Sequence, residues 1–222
     1  MKNDSVLATH PIRLAACATA LAAAFAVALP QPAYADGIRP PPVPTNIQVD
    51  TGNELFLAGH GVGTQNYVCL PSANAVAFVL FTPEATLFND DGKQLTSHFF
   101  SPNQSEPNTN PALAAIGPIR ATWVHSRDSS TVWGQVKTGD SSNDAAFVAP
   151  NAVAWLKLTA VGVDTGPTGG DTLAQTTFIQ RLNTAGGLAP STGCTSSADV
   201  GHLAFVPYTA DYFFYRKVSD AR

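Results

Sequence analysis

Ala85-Thr86-Leu87-Phe88-Asn89-Asp90-Asp91-Gly92-Lys93-Gln94-Leu95-Thr96 reads as two strand-like runs joined by an Asp-Gly turn. Asp-Gly supplies the positive φ that a tight hairpin needs, so this stretch sets the all-β reading of the chain. The same grammar recurs on both sides. Leu55-Phe56-Leu57-Ala58, Tyr67-Val68-Cys69-Leu70 and Val76-Ala77-Phe78-Val79-Leu80-Phe81 are short apolar runs bounded by Gly, Pro or Asn. Downstream, Trp123-Val124-His125 and Thr131 to Val136 flank a turn at Arg127-Asp128-Ser129. Ala152 to Val163 favours a strand over a short helix through its β-branched content. Thr177 to Leu182 runs into a Gly-rich loop at Gly186-Gly187, and Pro207 to Tyr215 (PYTADYFFY) is aromatic on both faces, as a buried final strand would be. Ser101 to Pro118 and Thr165 to Gly170 read as loops. No long segment carries helical amphipathicity. Short strands at close spacing predict a single-domain antiparallel β-sandwich or barrel with long loops.

The chain has 222 residues, 45% hydrophobic and 13% charged, with a formal net charge of −4. That balance argues against disorder. It also excludes a nucleic-acid binder working through a basic footprint. Met1 to Arg13 is polar and holds Lys2 and Arg13, Leu14 to Leu29 is an apolar run, and Ala33-Tyr34-Ala35 offers a small-x-small exit. Together these predict a secretory signal over residues 1–35, cleaved before Asp36. The run is short for a transmembrane helix. Leu14-Ala15-Ala16-Cys17 is no lipoprotein site, because the apolar run follows the Cys. A Pro-rich leader (36–44), a single β domain (45–216) and a C-terminal tail (217–222) would follow. The mature protein is expected to be secreted or periplasmic, with no membrane span after cleavage.

Cys17 leaves with the signal, and Cys69 and Cys194 remain. In an oxidising compartment an even pair predicts one disulfide, closing a loop worth about 4–5 kcal/mol in the chain-entropy model. The rival reading, a reactive thiol or metal thiolate, lacks a C-x-x-C spacing.

Chemistry-bearing motifs are sparse. Gly59-His60-Gly61-Val62-Gly63 lacks the third glycine and following helix of a dinucleotide loop, and reads as a Gly-rich bend with His60 as a turn side chain. His60, His98, His125 and His202 lie far apart in sequence, so no metal site is expected. No G-x-S-x-G elbow occurs. Asp90 and Asp91 are turn formers, which leaves Asp128, Asp171 and Asp211 unassigned. Trp123, Trp133, Trp155, Tyr208, Tyr212 and Tyr215 could form a ligand-binding face or fill the core. Arg181, on an apolar strand, needs a partner, and Asp211 is the natural one.

Gly63 to Cys69 (GTQNYVC), Ile179 to Pro190 (IQRLNTAGGLAP) with Gly193-Cys194, and Val206 to Tyr215 (VPYTADYFFY) resemble the signatures of the domain of unknown function 3455 family. The resemblance spans residues 44–216 and also takes in Leu87-Phe88, Gly92, His98, Trp123 and Trp155-Leu156. It implies a secreted protein without an established activity. The malate dehydrogenase label carried by some members finds no phosphate loop or βαβ alternation here. The expected function is therefore non-enzymatic binding of a glycan, a cell-envelope component or a small molecule, without a cofactor. The ligand-binding candidates are His98, Trp123, His125, Arg181, Asp211 and Tyr212. The alternative is a hydrolase or metal-dependent enzyme that assembles His98 or His125 with Asp128, Asp171 or Asp211. A purely structural envelope role is the third reading.

Overall fold

The computed structural model describes residues 39–73, 75–107 and 117–219. The expected signal peptide, with Cys17, lies outside the described residues. Eight strands follow a short 3₁₀ turn at Thr45–Ile47: β1 (Asn53–Ser72), β2 (Ala75–Phe88), β3 (Gln94–Pro102), β4 (Ile119–His125), β5 (Thr131–Ser142), β6 (Trp155–Asp164), β7 (Thr176–Gly186) and β8 (Leu203–Lys217). Each strand pairs antiparallel with the next, and β8 returns to β1, closing an up-and-down barrel. Of the two expected architectures the barrel is the one formed. No helix among the described residues is long and apolar enough to cross a membrane.

The hairpin at the centre of the sequence argument forms. Gly92 takes φ 73°, its N–H donates to the Asn89 carbonyl at 2.9 Å, and the Lys93 N–H donates to Asn89 Oδ1 at 2.8 Å. The strands themselves are longer than expected. The runs at Leu55–Ala58 and Tyr67–Leu70 belong to one 20-residue strand that also contains Gly59 to Gly63. That glycine stretch is therefore not a bend. His60 sits mid-strand, opposite Phe88 on β2 and Asp211 on β8. The glycine at 61 serves close packing, since a Cβ there would lie 2.8 Å from the Tyr212 ring.

Strand alternation sorts the apolar side chains into two layers. Inside the barrel Leu57, Leu87, Trp123, Val132, Leu158, Ile179, Tyr212 and Phe214 pack together. Outside, Ala58, Trp155, Leu182, Phe213 and Tyr215 pack against Val43, Ile47 and Val49 of the N-terminal segment. The final strand is thus buried on both faces, as its sequence indicates. The end of the Pro-rich leader is part of the fold, because Val43 packs into this outer layer and Gln180 Nε2 donates to the Ile47 carbonyl at 2.7 Å. The six large aromatics do not share a face. Trp123, Tyr208 and Tyr212 point inward, Trp155 and Tyr215 lie in the outer layer, and Trp133 donates its Nε1–H to Ser101 Oγ at 3.0 Å.

Cys69 and Cys194 form a disulfide with Cα atoms 5.5 Å apart and a sequence separation of 125. It ties the long β7–β8 connection to the upper half of β1. Cys194→Ser should lower unfolding free energy by about 2–5 kcal/mol, read as a reduced urea midpoint at unchanged slope. A midpoint within error of wild type would show that the connection is held without the bridge.

Candidate functional site

A cavity of about 520 Å³ occupies one end of the barrel interior. The buried His98, Trp123, Tyr212 and Leu158 form its inner end, while the exposed Ile119, Val136 and Leu188 lie at its rim. Gln65, Tyr67, Phe100, Leu156 and Arg181 complete most of the wall. Two small residues contribute to this space. A Cβ on Gly134 would come within 3.2 Å of the Trp123 ring, and Ala121 lines the cavity next to it.

His98 and Trp123 face each other across β3 and β4. Their rings stack with centroids 4.2 Å apart and an interplanar angle of 6°, and Tyr212 meets both edge-on. His98 Nδ1–H donates to the Thr122 carbonyl at 2.9 Å, which fixes the tautomer and leaves Nε2 as an acceptor. Burial drives its pKa down to about 3; the Thr122 bond opposes this and the Arg181 charge adds to it. The ring is therefore neutral at physiological pH.

The phenols are hydrogen-bonded among themselves and to backbone. Tyr67 donates to the Gly187 carbonyl at 2.6 Å, and the Tyr208 and Tyr212 hydroxyls lie 3.0 Å apart. Burial raises the pKa of Tyr212, with Arg181 opposing it. Two polar groups of the lining are buried without any partner: Gln65 Nε2 and Trp123 Nε1. Burial raises the pKa of Tyr208, and the Gln65 side chain, which reaches the Tyr208 hydroxyl, lowers it by less. Each such orphan costs about 1–3 kcal/mol relative to a satisfied group.

Arg181 donates from Nε and Nη2 to the Ala154 carbonyl at 3.3 and 2.9 Å. Among the described residues no carboxylate lies within ion-pair range of it, and the expected Arg181–Asp211 pair does not form. The other arginine at the cavity, Arg120, is paired by two short bonds to Glu106, at 2.7 and 2.6 Å.

Asp211 lies on the outer surface of β8. Its Oδ1 is 2.7 Å from His60 Nδ1, and its Oδ2 accepts from Asn183 Nδ2 at 2.7 Å. Asp90 flanks the other imidazole nitrogen at 3.1 Å. Asp211 and Asp90 together raise the His60 pKa against partial desolvation.

His125 belongs to a second cavity, of about 510 Å³, with Leu57, Lys93 and Asp128. Its Nδ1 sits 2.9 Å from Asp128 Oδ1, so one His–Asp contact imagined for an enzyme does occur. The carboxylate is saturated, however. It also accepts from the Ser130 N–H and hydroxyl and from the Thr172 N–H and hydroxyl, at 2.6–3.1 Å. Burial opposes its charge, but these bonds outweigh burial and hold its carboxyl below the usual carboxylate range. Through its bonds to Thr172, Asp128 clasps the β4–β5 turn to the segment before β7. Among the described residues no three His, Cys, Asp or Glu side chains are grouped to hold a metal ion.

Of the six expected ligand candidates the fold gathers four around one cavity (His98, Trp123, Arg181 and Tyr212) and sends His125 and Asp211 elsewhere. The expected set omits Gln65 and Tyr67. Their signal is the polar Gln65-Asn66 pair inside an otherwise apolar strand run, within one of the three long motifs.

A family profile described as a protein of unknown function, DUF3455, matches residues 50–216. The chain belongs to this family. No curated protein and no solved structure matches it. The DUF3455 match covers every strand, from β1 to β8, and so includes all the cavity-lining strands.

A neutral His98 has a consequence for stability. Unfolded, its imidazole takes up a proton below about pH 6.5; folded, it does so only near pH 3. The unfolded state binds more protons across that window, so stability falls as pH falls through it. The share lost between pH 7 and pH 5 is about 2 kcal/mol. His98→Phe should flatten the pH dependence of the urea midpoint by that amount, whatever its offset at pH 7. Asp128 acts lower, its contribution being full above about pH 4 and lost below it. An unchanged slope between pH 7 and pH 5 in His98→Phe would show that the imidazole titrates normally.

Proposed function

We propose that this DUF3455 protein is an exported, non-enzymatic carrier or receptor that holds a small molecule inside its barrel. The cavity carries the reading. It is of ligand size, mostly apolar in its walls, open at one end, and lined by a few polar side chains, among them Gln65, Tyr67 and Arg181. Export is supported by the signal-like features of residues 1–35 and by the disulfide, which suits an oxidising compartment. Among the classes of partner expected from sequence, a small molecule fits better than a glycan. Sugar rings stack on exposed aromatic faces, whereas Trp123 and Tyr212 are each only 1% exposed.

Catalysis has weaker support. At a pKa near 3, His98 is a poor general base at neutral pH. Asp128 spends its lone pairs within the fold.

A neutral apolar dye such as N-phenyl-1-naphthylamine should bind with saturable 1:1 stoichiometry and increased emission. Ala121→Trp, which fills the cavity from its wall, should weaken that binding at least about tenfold while leaving the thermal midpoint within a few degrees. Dye binding that does not saturate, or that ignores Ala121→Trp, would overturn the proposal.

A further inference from the structure

Arg181 is the one feature of the cavity that the general binding reading leaves unused. It is half-buried on the inner face of β7, between Leu156 and Tyr212 in register. Its guanidinium has five N–H donors; the Ala154 carbonyl accepts from two of its nitrogens, and the neutral Tyr212 hydroxyl also takes a bond from it. A cation withdrawn from water without a counter-charge is costly, and proteins ordinarily supply a carboxylate. Here the nearby phenols of Tyr212 and Tyr208 are neutral, and His98 is neutral as well. The paired Arg120–Glu106 at the rim shows the usual solution to the same problem a short distance away.

The cavity therefore offers the positive charge of Arg181 at depth, and apolar surface from Leu156, Phe100 and Leu80 toward the rim residues Ile119 and Leu188. Charge-assisted, two-pronged bonds from a guanidinium select a planar oxyanion.

Resting on the small-molecule reading above, we infer that the barrel takes an amphipathic carboxylic acid, with its carboxylate on Arg181 and its apolar body directed to the rim. The unpaired guanidinium then gains the counter-charge that the chain itself does not provide.

Competition against N-phenyl-1-naphthylamine tests this with the exported chain at pH 7.5. Decanoate should displace the dye at least about tenfold more effectively than decanol or methyl decanoate. With each competitor read against that variant's own dye affinity, Arg181→Gln should erase the preference for the acid, while Arg181→Lys should keep part of it. Equal displacement by acid and alcohol, or a preference that survives Arg181→Gln, overturns the inference while leaving the binding function intact. A preference that survives Arg181→Gln but vanishes in Arg120→Gln would place the carboxylate at the rim and equally overturn it. Failure of the wild-type protein to bind the dye at all would remove both readings.

Discussion

Closure of the sheet through β1 is the constraint on which the rest of the structure depends. β1 pairs along its upper half with β2 and along most of its length with β8. A sheet closed this way leaves no edge to pair with other chains. Closure also forces every strand residue to face either a shared interior or the outside. The interior of an eight-strand barrel is just wide enough to be filled by side chains or to hold one small ligand. This barrel is filled over part of its length and open over the rest. Leu57, Leu87, Val132, Ile179 and Phe214 fill one part, and smaller or polar residues leave the cavity in the other.

The division between filled and open halves follows from a few positions. Gly61 and Gly134 leave room for the Tyr212 and Trp123 rings, which a Cβ at either position would crowd. With His98 these rings form a partition in which His98 stacks on Trp123 and Tyr212 meets both edge-on, and the bond from His98 to Thr122 fixes it. Below it the packing is apolar and dense, and above it stand Gln65, Tyr67 and Arg181. On the outside, the N-terminal segment and the turn around Phe147 cover β7 and β8, so the strand that carries Arg181 is braced from behind. A cavity wall braced in this way can present polar groups in fixed positions, which lowers the ordering cost of binding.

Much of this was legible in the residues, and the failures have physical causes. The Asn89–Gly92 hairpin, the Cys69–Cys194 bridge and the two-faced final strand each depend on local chemistry or on parity of number, which a sequence displays directly. Strand lengths were not legible. Gly59, Gly61, Gly63 and Pro71 punctuate β1, while Pro83 and Pro207 interrupt β2 and β8 opposite Gln65 and Thr64. Such residues usually end strands. Here Pro83 pairs next to the bulge at Asn66/Tyr67, where the β1–β2 ladder is already irregular, while Gly59 to Gly63 keep regular register with β8. The Arg181–Asp211 pairing failed for a different reason. Arg181 lies opposite Tyr212, and Asp211 lies opposite Leu182. Residues one step apart in register point to opposite faces of a sheet, so the cation faces the lumen and the carboxylate faces solvent. No spacing along the chain reveals that parity.

That same one-residue offset gives the cavity its chemical character. Had Asp211 faced inward, its carboxylate would have neutralised Arg181, and the lumen would hold an internal ion pair with little to offer a ligand. Facing outward, it engages His60 and Asn183 in a surface network instead. The lumen is left with the Arg181 guanidinium, which among the described residues has no carboxylate partner, and with the neutral His98 beside it. A group that carries negative charge supplies what the guanidinium lacks, while a second cation aggravates it. Polarity inside the barrel thus follows from strand register, and register follows from closure of the sheet.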